Sequence, residues 1–326
     1  MIGKQGVLLI DKPQGLTSHD VVVRVRRVLG ERRVGHAGTL DPGATGLLVL
    51  CIGETVRLLE YIAADEKAYE GVVAFGAATD TDDAFGRVIA RASAAGLAEE
   101  AVRHAASGLV GDIWQRVPAY AAVKIGGRRA YELARSGQAV DMPVRQVRIH
   151  SLEVTSFTPG EVAHASFRVV CSKGTYVRAL CRDWGQAVGL PAHLAALRRT
   201  RVGWFRLEDA IALDAWEASP APRSFLRPAR DAVAHLPQVA AREAELTALA
   251  QGKPVSCPDA VAGLAPGEPV AVLAPSGEVA AIALVAWFRG ARWLRPHKVL
   301  WRPAHAGMQA QTGKPGRKRG SDDAGD

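Results

Sequence analysis

One carboxylate stands in a loop suited to holding it: residues 35–46 read GHAGTLDPGATG, with Asp41 among four glycines, two threonines and a proline. Pro42 pushes Asp41 toward extended backbone, and the glycines permit turns that other residues resist. A carboxylate held in one direction can serve as nucleophile, general base or electrostatic partner. Asp-Pro-Gly by itself is also common turn chemistry, so the reactivity has to be sought in the surroundings. Those supply His36 in the same loop, Lys67 and Tyr69 in KAYEGVVAF, and Tyr176 and Arg178 in CSKGTYVRAL.

Several other chemistries are excluded by spacing. TDTDDAFG at 79–86 is acidic, but a calcium loop starting at Asp80 needs glycine where Phe85 stands and glutamate where Arg91 stands. No GxxxxGK phosphate loop and no helix-opening GxGxxG occurs. The four cysteines, Cys51, Cys171, Cys181 and Cys257, form no CxxC pair and lack histidines at zinc-ligand spacing. They read as reduced, packed thiols, and no metal or cofactor is expected.

The elements that must position these groups follow from periodicity. Residues 5–10 read as a strand. Thr17 or Ser18 can cap a helix whose apolar positions Val21, Val22, Val25, Val28 and Leu29 keep helical spacing until Gly30. After the loop, 46–52 is an apolar run of strand length and 54–63 a helix with an acidic start. Strands are expected at 67–77 and 162–171, and helices at 98–109, 128–135 and 175–188. No regular βαβ rhythm appears, which points to an α+β fold around a mixed, largely antiparallel sheet flanked by helices.

At 326 residues the chain can bury a full core and has room for a second, smaller domain. SPAPR at 219–223 interrupts the pattern and places a boundary near residue 224. Residues 225–302 read as a small β-rich module, and the polar, glycine-rich 303–326 as a disordered tail. No run approaches the ~20 apolar residues of a membrane span, and the N-terminus lacks a secretory pattern. A soluble, cytoplasmic protein is expected.

The formal net charge of +8 favours a polyanionic partner. Its basic residues come in bursts: Arg24, Arg26, Arg27, Arg32 and Arg33; then Lys124, Arg128 and Arg129; then Arg198, Arg199 and Arg201. Arginine forks suit bidentate phosphate contacts.

Together these segments resemble one family. KPQGLTSHDVVVRVRR at 12–27, VGHAGTLDPGATGLLVLCIGE at 34–54, KAYEGVVAFGAATDTDDAFG at 67–86, CSKGTYVRALCRDWG at 171–185 and LRRTRVGWF at 197–205 are similar, in order, to the motifs of the TruB family of pseudouridine synthases. The resemblance implies the pseudouridine synthase fold, and isomerisation of the uridine at position 55 in the T loop of tRNA, without a cofactor. It implies that Asp41 is the essential aspartate, that Tyr69 lies against the target uracil and serves in proton removal from C5, and that Arg178 pairs with Asp41. Tyr176 matches a second active-site aromatic, and His36 a histidine that holds the RNA loop with its base turned out. Lys12 and Pro13 match a motif supporting the active-site loop, and Leu197 an apolar residue of the uracil pocket. Arg198 and Arg199 are expected to grip phosphates around the T stem.

The family's second proline is replaced by Val117 and its serine by Ala121, whereas Tyr120, Lys124, Gly127 and Tyr131 fit. FLRPARDAVAHLPQV and WLRPHKVLW resemble the family's PUA-type RNA-binding module. The resemblance leaves open whether the aspartate attacks C1′, removes a proton at C2′ or adds to the base. The chain starts shortly before KPQG, which favours a stand-alone monomer needing no protein partner over the guide-RNA-dependent type. A non-catalytic RNA-folding protein using the same surface is the rival of another class.

Overall fold

The computed structural model describes residues 5–63, 66–121, 123–125, 128–129, 141–288 and 290–302. They fall into two compact units, Met1–Pro237 and Gln238–Asp326.

The first unit is organised on a ten-stranded mixed sheet. Strand β1 (Gly6–Lys12) leads into helix α1 (Ser18–Leu29), followed by β2 (Val34–His36), β3 (Thr45–Ile52) and β4 (Lys67–Phe75). Across the sheet the order is Ile211–Ala212, β1, β3, Ala192–Val202, β4, Ala163–Cys171, Val144–Thr158 and Gly111–Arg116. Two of these pairings are parallel, Ile211–Ala212 on β1 and Ala192–Val202 on β3; the others are antiparallel. The α+β expectation therefore holds. Strand Ala192–Val202 separates β3 from β4, so the loop before β3 and Tyr69 on β4 meet across a strand that arrives more than a hundred residues later.

Local chemistry explains the first elements. Thr17 caps α1, accepting from the Asp20 amide while the Asp20 carboxylate accepts from the Thr17 amide. Gly30 closes the helix at φ 60°, a conformation that favours glycine. Val21, Val22, Val25 and Leu29 face the sheet and are buried, as the spacing predicts. β3 is buried almost end to end, because helices or strands cover both of its faces. Helix Val177–Ala187 lies on the same core through Trp184, whose ring meets Phe75 and Phe167 edge-on at 5.8 Å. Cys51, Cys171 and Cys181 are free and buried.

Three expectations are corrected. Residues 53–63 form a 3-10 turn, Gly53–Leu58, before a short α-helix, Leu59–Ala63. The helix expected from Arg128 begins instead as a strand, Arg128–Arg129, paired with Lys124–Ile125; 130–140, including Tyr131, and Gly127 lie outside the described residues. The boundary expected near 224 falls at 237/238. Residues 225–237 stay with the first unit because Arg227 exchanges backbone hydrogen bonds with Val7 and its guanidinium pairs with Asp209 and Asp231. SPAPR is a surface turn rather than a linker.

The second unit carries a five-stranded sheet ordered Gln238–Ala240, Pro269–Leu273, Val279–Phe288, Ala291–Val299, Val255–Ser256, with the α-helix Glu243–Ala250 and the 3-10 turn Asp259–Val261. Its core includes Leu246, Leu249, Val270, Val272, Ala283 and Leu294. The 303–326 tail lies outside the described residues. Among the described residues no helix is long and apolar enough to cross a membrane.

Candidate active site

Asp41 projects from the loop between β2 and β3, and that loop is fastened from below at several points. Ser18, at the start of α1, is 2 % exposed; its Oγ accepts from the Leu40 amide at 2.7 Å and donates to the Leu40 carbonyl at 3.0 Å. Gly15 N–H donates to the Pro42 carbonyl at 2.8 Å. Leu40 and Ala44 are buried on either side of Asp41. The loop backbone is thus a fixed platform, and the Asp41 side chain remains 43 % exposed.

Arg178, near the start of helix Val177–Ala187, fixes the carboxylate. Its Nε meets Asp41 Oδ2 at 2.8 Å and lies 3.8 Å from Asp83 Oδ2. Its two Nη atoms donate to the Thr81 carbonyl at 2.8 Å and the Tyr120 carbonyl at 3.0 Å. Each end of the fork is therefore occupied, which is how a guanidinium that is 5 % exposed is kept satisfied. The helix start is itself held by Gln115, whose amide oxygen accepts from Tyr176 N–H at 3.0 Å and whose Nε2 donates to the Tyr176 carbonyl at 3.1 Å.

A cavity of about 290 Å³ opens above this platform, lined by Asp41, Tyr69, Tyr176, Arg178, Leu197 and Arg199 among others. Its lining combines aromatic and aliphatic side chains with charged groups, a composition suited to a flat, polar-edged ring. A larger hollow of about 510 Å³ lies next to it, but its charged residues are already paired with each other or nearby: Arg168 with Glu70 at 3.1 Å and Arg198 with Asp11 at 2.7 Å. The smaller cavity is the one onto which Asp41, Tyr69 and Tyr176 open.

Tyr69 is 8 % exposed, and burial raises its pKa above the usual phenol value; the Arg199 guanidinium beside it opposes that shift. Burial raises the Tyr176 phenol likewise. The Val117 and Ala121 departures are both buried, in a small apolar cluster that Tyr176 packs against. Lys12 ends β1 fully buried, donating to the carbonyls of Pro13 at 2.9 Å and Leu16 at 2.7 Å. Desolvation lowers its pKa to about 8, with Asp41 opposing the shift and Arg199 adding to it. Lys12 therefore shapes the turn into α1 and is not a cavity wall. His36, the last residue of β2, is partly buried and outside the cavity lining; burial and then the Arg199 charge lower its pKa, leaving the imidazole neutral at physiological pH.

The expectation for Arg199 is overturned. It is 1 % exposed, and its guanidinium donates to the carbonyls of Leu47 at 2.8 Å, Gly38 at 3.0 Å and Thr39 at 3.4 Å. A cation used this way cannot grip a phosphate; it knits the Asp41 loop to strand Ala192–Val202 and faces Tyr69. Gly46 makes the approach possible, since a Cβ there would stand 2.3 Å from the Arg199 carbonyl oxygen. Arg198 is half-exposed but paired with Asp11. In the first basic burst, Arg24 pairs with Asp214 and Glu217, and Arg33 with Glu31 and Glu54. Among the described residues, exposed cations near the cavity include Lys173, on its rim, and Arg145, whose charge opposes the burial that raises the Tyr176 phenol.

Sequence reading missed Ser18, Gln115, Asp83 and Lys173. Ser18 reads equally well as a helix cap, and nothing in GDIWQR marks Gln115 as the buried position. Asp83 was hidden inside an acidic run that resembles a failed calcium loop.

A model of the TruB family pseudouridylate synthase N-terminal domain matches residues 26–177, and one of the tRNA pseudouridylate synthase B C-terminal domain matches 178–233. The chain is 46 % identical to the tRNA pseudouridine synthase B of Leifsonia xyli subsp. xyli over 286 residues, 86 % of this chain and 92 % of that protein. It is 44 % identical to the tRNA pseudouridine synthase B of Thermobifida fusca, over 85 % of this chain and 94 % of that one. Among solved structures, one described as the crystal structure of a Cbf5-Nop10-Gar1 complex matches with a TM-score of 0.68 and 26 % identity, covering 91 % of this chain and 85 % of that one.

Proposed function

Since the chain belongs to the TruB family of pseudouridylate synthases, we propose that it isomerises uridine to pseudouridine in tRNA, at position 55 of the T loop, as a cytoplasmic monomer needing no cofactor, guide RNA or protein partner. The observation that carries the reading is the mounted carboxylate: Asp41, held at 2.8 Å by a buried Arg178, on the edge of a cavity walled by Tyr69, Tyr176 and Leu197.

The reaction breaks the bond from N1 of uracil to C1′ of ribose, turns the base, and joins C5 to C1′; the C5 proton leaves and N1 gains one, so nothing is oxidised. A uridine stacked in a folded loop is out of reach, so the base has to be extruded into the cavity. Tyr69 and Tyr176 replace its lost stacking, and Asp41 stands where the glycosidic bond enters. The Tyr69 hydroxyl relays the C5 proton: it gives its own proton toward N1, a loss that the adjacent Arg199 cation favours against the burial that keeps the phenol protonated at rest, and its oxygen then takes the proton from C5. Outside the cavity, His36 steadies the RNA loop, and Lys173 and Arg145 meet phosphates.

The second unit adds RNA contact beyond the loop. Residues 279–302 hold five lysines and arginines, no acid, and four aromatics, a mixture suited to phosphate and base contact.

The test is direct: the pure protein is incubated with an unmodified tRNA transcript, without guide RNA or cofactor, and pseudouridine is mapped. Product at the T loop is expected; none there overturns the reading.

A further inference from the structure

We propose that Phe85 is a positioning residue for Asp41, acting through Gly43; this rests on the functional reading above and names a further part of the same site. Phe85 is 66 % exposed, an unfavourable place for a large apolar ring. Yet the turn bearing it is closely fixed. Phe85 N–H donates to Asp83 Oδ1 at 3.0 Å, and Thr81 Oγ donates to the same oxygen at 2.7 Å. Ala84 N–H donates to the Leu194 carbonyl at 2.9 Å, and Leu194 N–H to the Asp82 carbonyl at 3.0 Å. Asp82 holds a left-handed φ of 60°, its carboxylate gripped by Arg182 at 2.8 Å.

What this turn presents is a ring laid on the Asp41 loop. A Cβ built on Gly43 would stand 2.0 Å from Phe85 Cε2 and within 2.9 Å of two more ring carbons. The ring is therefore in van der Waals contact with the Gly43 backbone, two residues past Asp41. Phe85, Gly43, Asp41, Asp83 and Arg178 line one narrow crevice. The same turn also supplies the Thr81 carbonyl and the Asp83 carboxylate to Arg178. So it reaches Asp41 twice, through the guanidinium on one side and through the ring on the other.

Size complementarity is the physical content. Gly43 has no side chain to pack, and its backbone is not in the left-handed region, so its absence of a Cβ makes room for the ring. Removing the ring leaves the apex of the loop uncovered and the Asp41 carboxylate free to swing about Arg178. Misplacement of a reacting group by about 1 Å can cost up to ~100-fold in rate. A leucine at position 43 fills the vacated space once the ring is gone.

The experiment uses Phe85→Ala, Gly43→Leu and the double variant in the full chain, reading single-turnover pseudouridine formation at saturating tRNA, tRNA affinity, and the thermal midpoint. Phe85→Ala is expected to slow the saturated rate about tenfold with affinity within about twofold of wild type, Gly43→Leu to slow it as well, and the double variant to recover most of the rate. An unchanged saturated rate in Phe85→Ala overturns the proposal. So does weakened affinity at an unchanged saturated rate, which makes the ring an RNA-binding group, and so does a double variant slower than either single one. If wild type makes no pseudouridine, the functional reading falls by itself; the packing is then read from the midpoints, where recovery in the double variant supports the pair and additive destabilisation overturns it.

Discussion

Arg178 meets Asp41 at 2.8 Å with its own side chain 5 % exposed and its partner's 43 % exposed. The cation is buried and the carboxylate emerges from it. With both Nη atoms held by the Thr81 and Tyr120 carbonyls, Arg178 cannot follow Asp41 if that side chain moves. The pair is a mount, and its exposed end is the one a substrate can reach.

Asp41→Asn should therefore abolish turnover while leaving tRNA binding largely intact, because the amide keeps the shape but loses the charge. Product mapping and a binding titration on the same preparation check this. Turnover at the wild-type level would remove Asp41 from the mechanism.

Arg178→Lys should fold poorly or turn over slowly. An ammonium has no planar fork with which to reach Asp41 and two carbonyls together, and unsatisfied buried carbonyls cost about 1–3 kcal/mol each. A fall of about 100-fold in the saturated rate is expected. A rate within twofold of wild type would show that charge alone suffices.

Lys173→Ala and Arg145→Ala should each weaken tRNA binding and flatten its salt dependence, by about one unit of log–log slope for each phosphate no longer neutralised. Arg199→Ala should leave that slope alone and instead destabilise the fold by roughly 3 kcal/mol, having freed the carbonyls of Leu47, Gly38 and Thr39. A flattened slope in Arg199→Ala would place that guanidinium on RNA after all.

Tyr69→Phe keeps the wall of the cavity and removes the hydroxyl. A fall in turnover of about 100-fold with unchanged affinity is expected when the proton acceptor is removed. A fall in affinity alone would reduce Tyr69 to a stacking surface.

Lys12 predicts a pH signature. Its folded pKa of about 8 lies below the unbound value of 10.5, so between those pH values the unfolded chain holds a proton that the folded one has released. Stability from this group is lowest below pH 8 and rises with pH through that window. The thiol of Cys51, raised by burial to about 12, works the other way above its ordinary value of 9.0, so the comparison must be made against Lys12→Met. The stability of wild type relative to that variant should increase by about 2 kcal/mol from pH 7 to 9.5. A flat or falling difference would mean the ammonium keeps its charge in the fold.

The elements that carry the site were legible from periodicity and capping. α1, β3, β4 and helix Val177–Ala187 lie within a residue or two of where the pattern puts them, because each has one buried face and a marked end. Two expected helices differ: 54–63 opens as a 3-10 turn, and Arg128–Arg129 pairs as a strand with Lys124–Ile125, a pairing that no local pattern marks. The boundary was read near 224 because SPAPR looks like a linker locally, whereas the bridge of Arg227 with Val7, the ion pairs of Arg227 with Asp209 and Asp231 and the Trp204 hydrogen bond to the Asp231 carbonyl keep the next dozen residues in the first unit.

Residue type and order determined that Asp41 sits in a constrained loop, that aromatic and arginine partners follow it in sequence, and which family's motifs they match. The family resemblance already paired Arg178 with Asp41; tertiary structure alone decided what Arg198 and Arg199 do. Arg178, Arg198 and Arg199 are the same side chain on paper, yet one mounts Asp41, one pairs with Asp11 at a half-exposed edge, and one is buried under the loop holding its carbonyls. The reason is that a guanidinium's role is set by the acceptors within its reach. Those acceptors come from segments tens to more than a hundred residues away, brought together only when Ala192–Val202 inserts between β3 and β4.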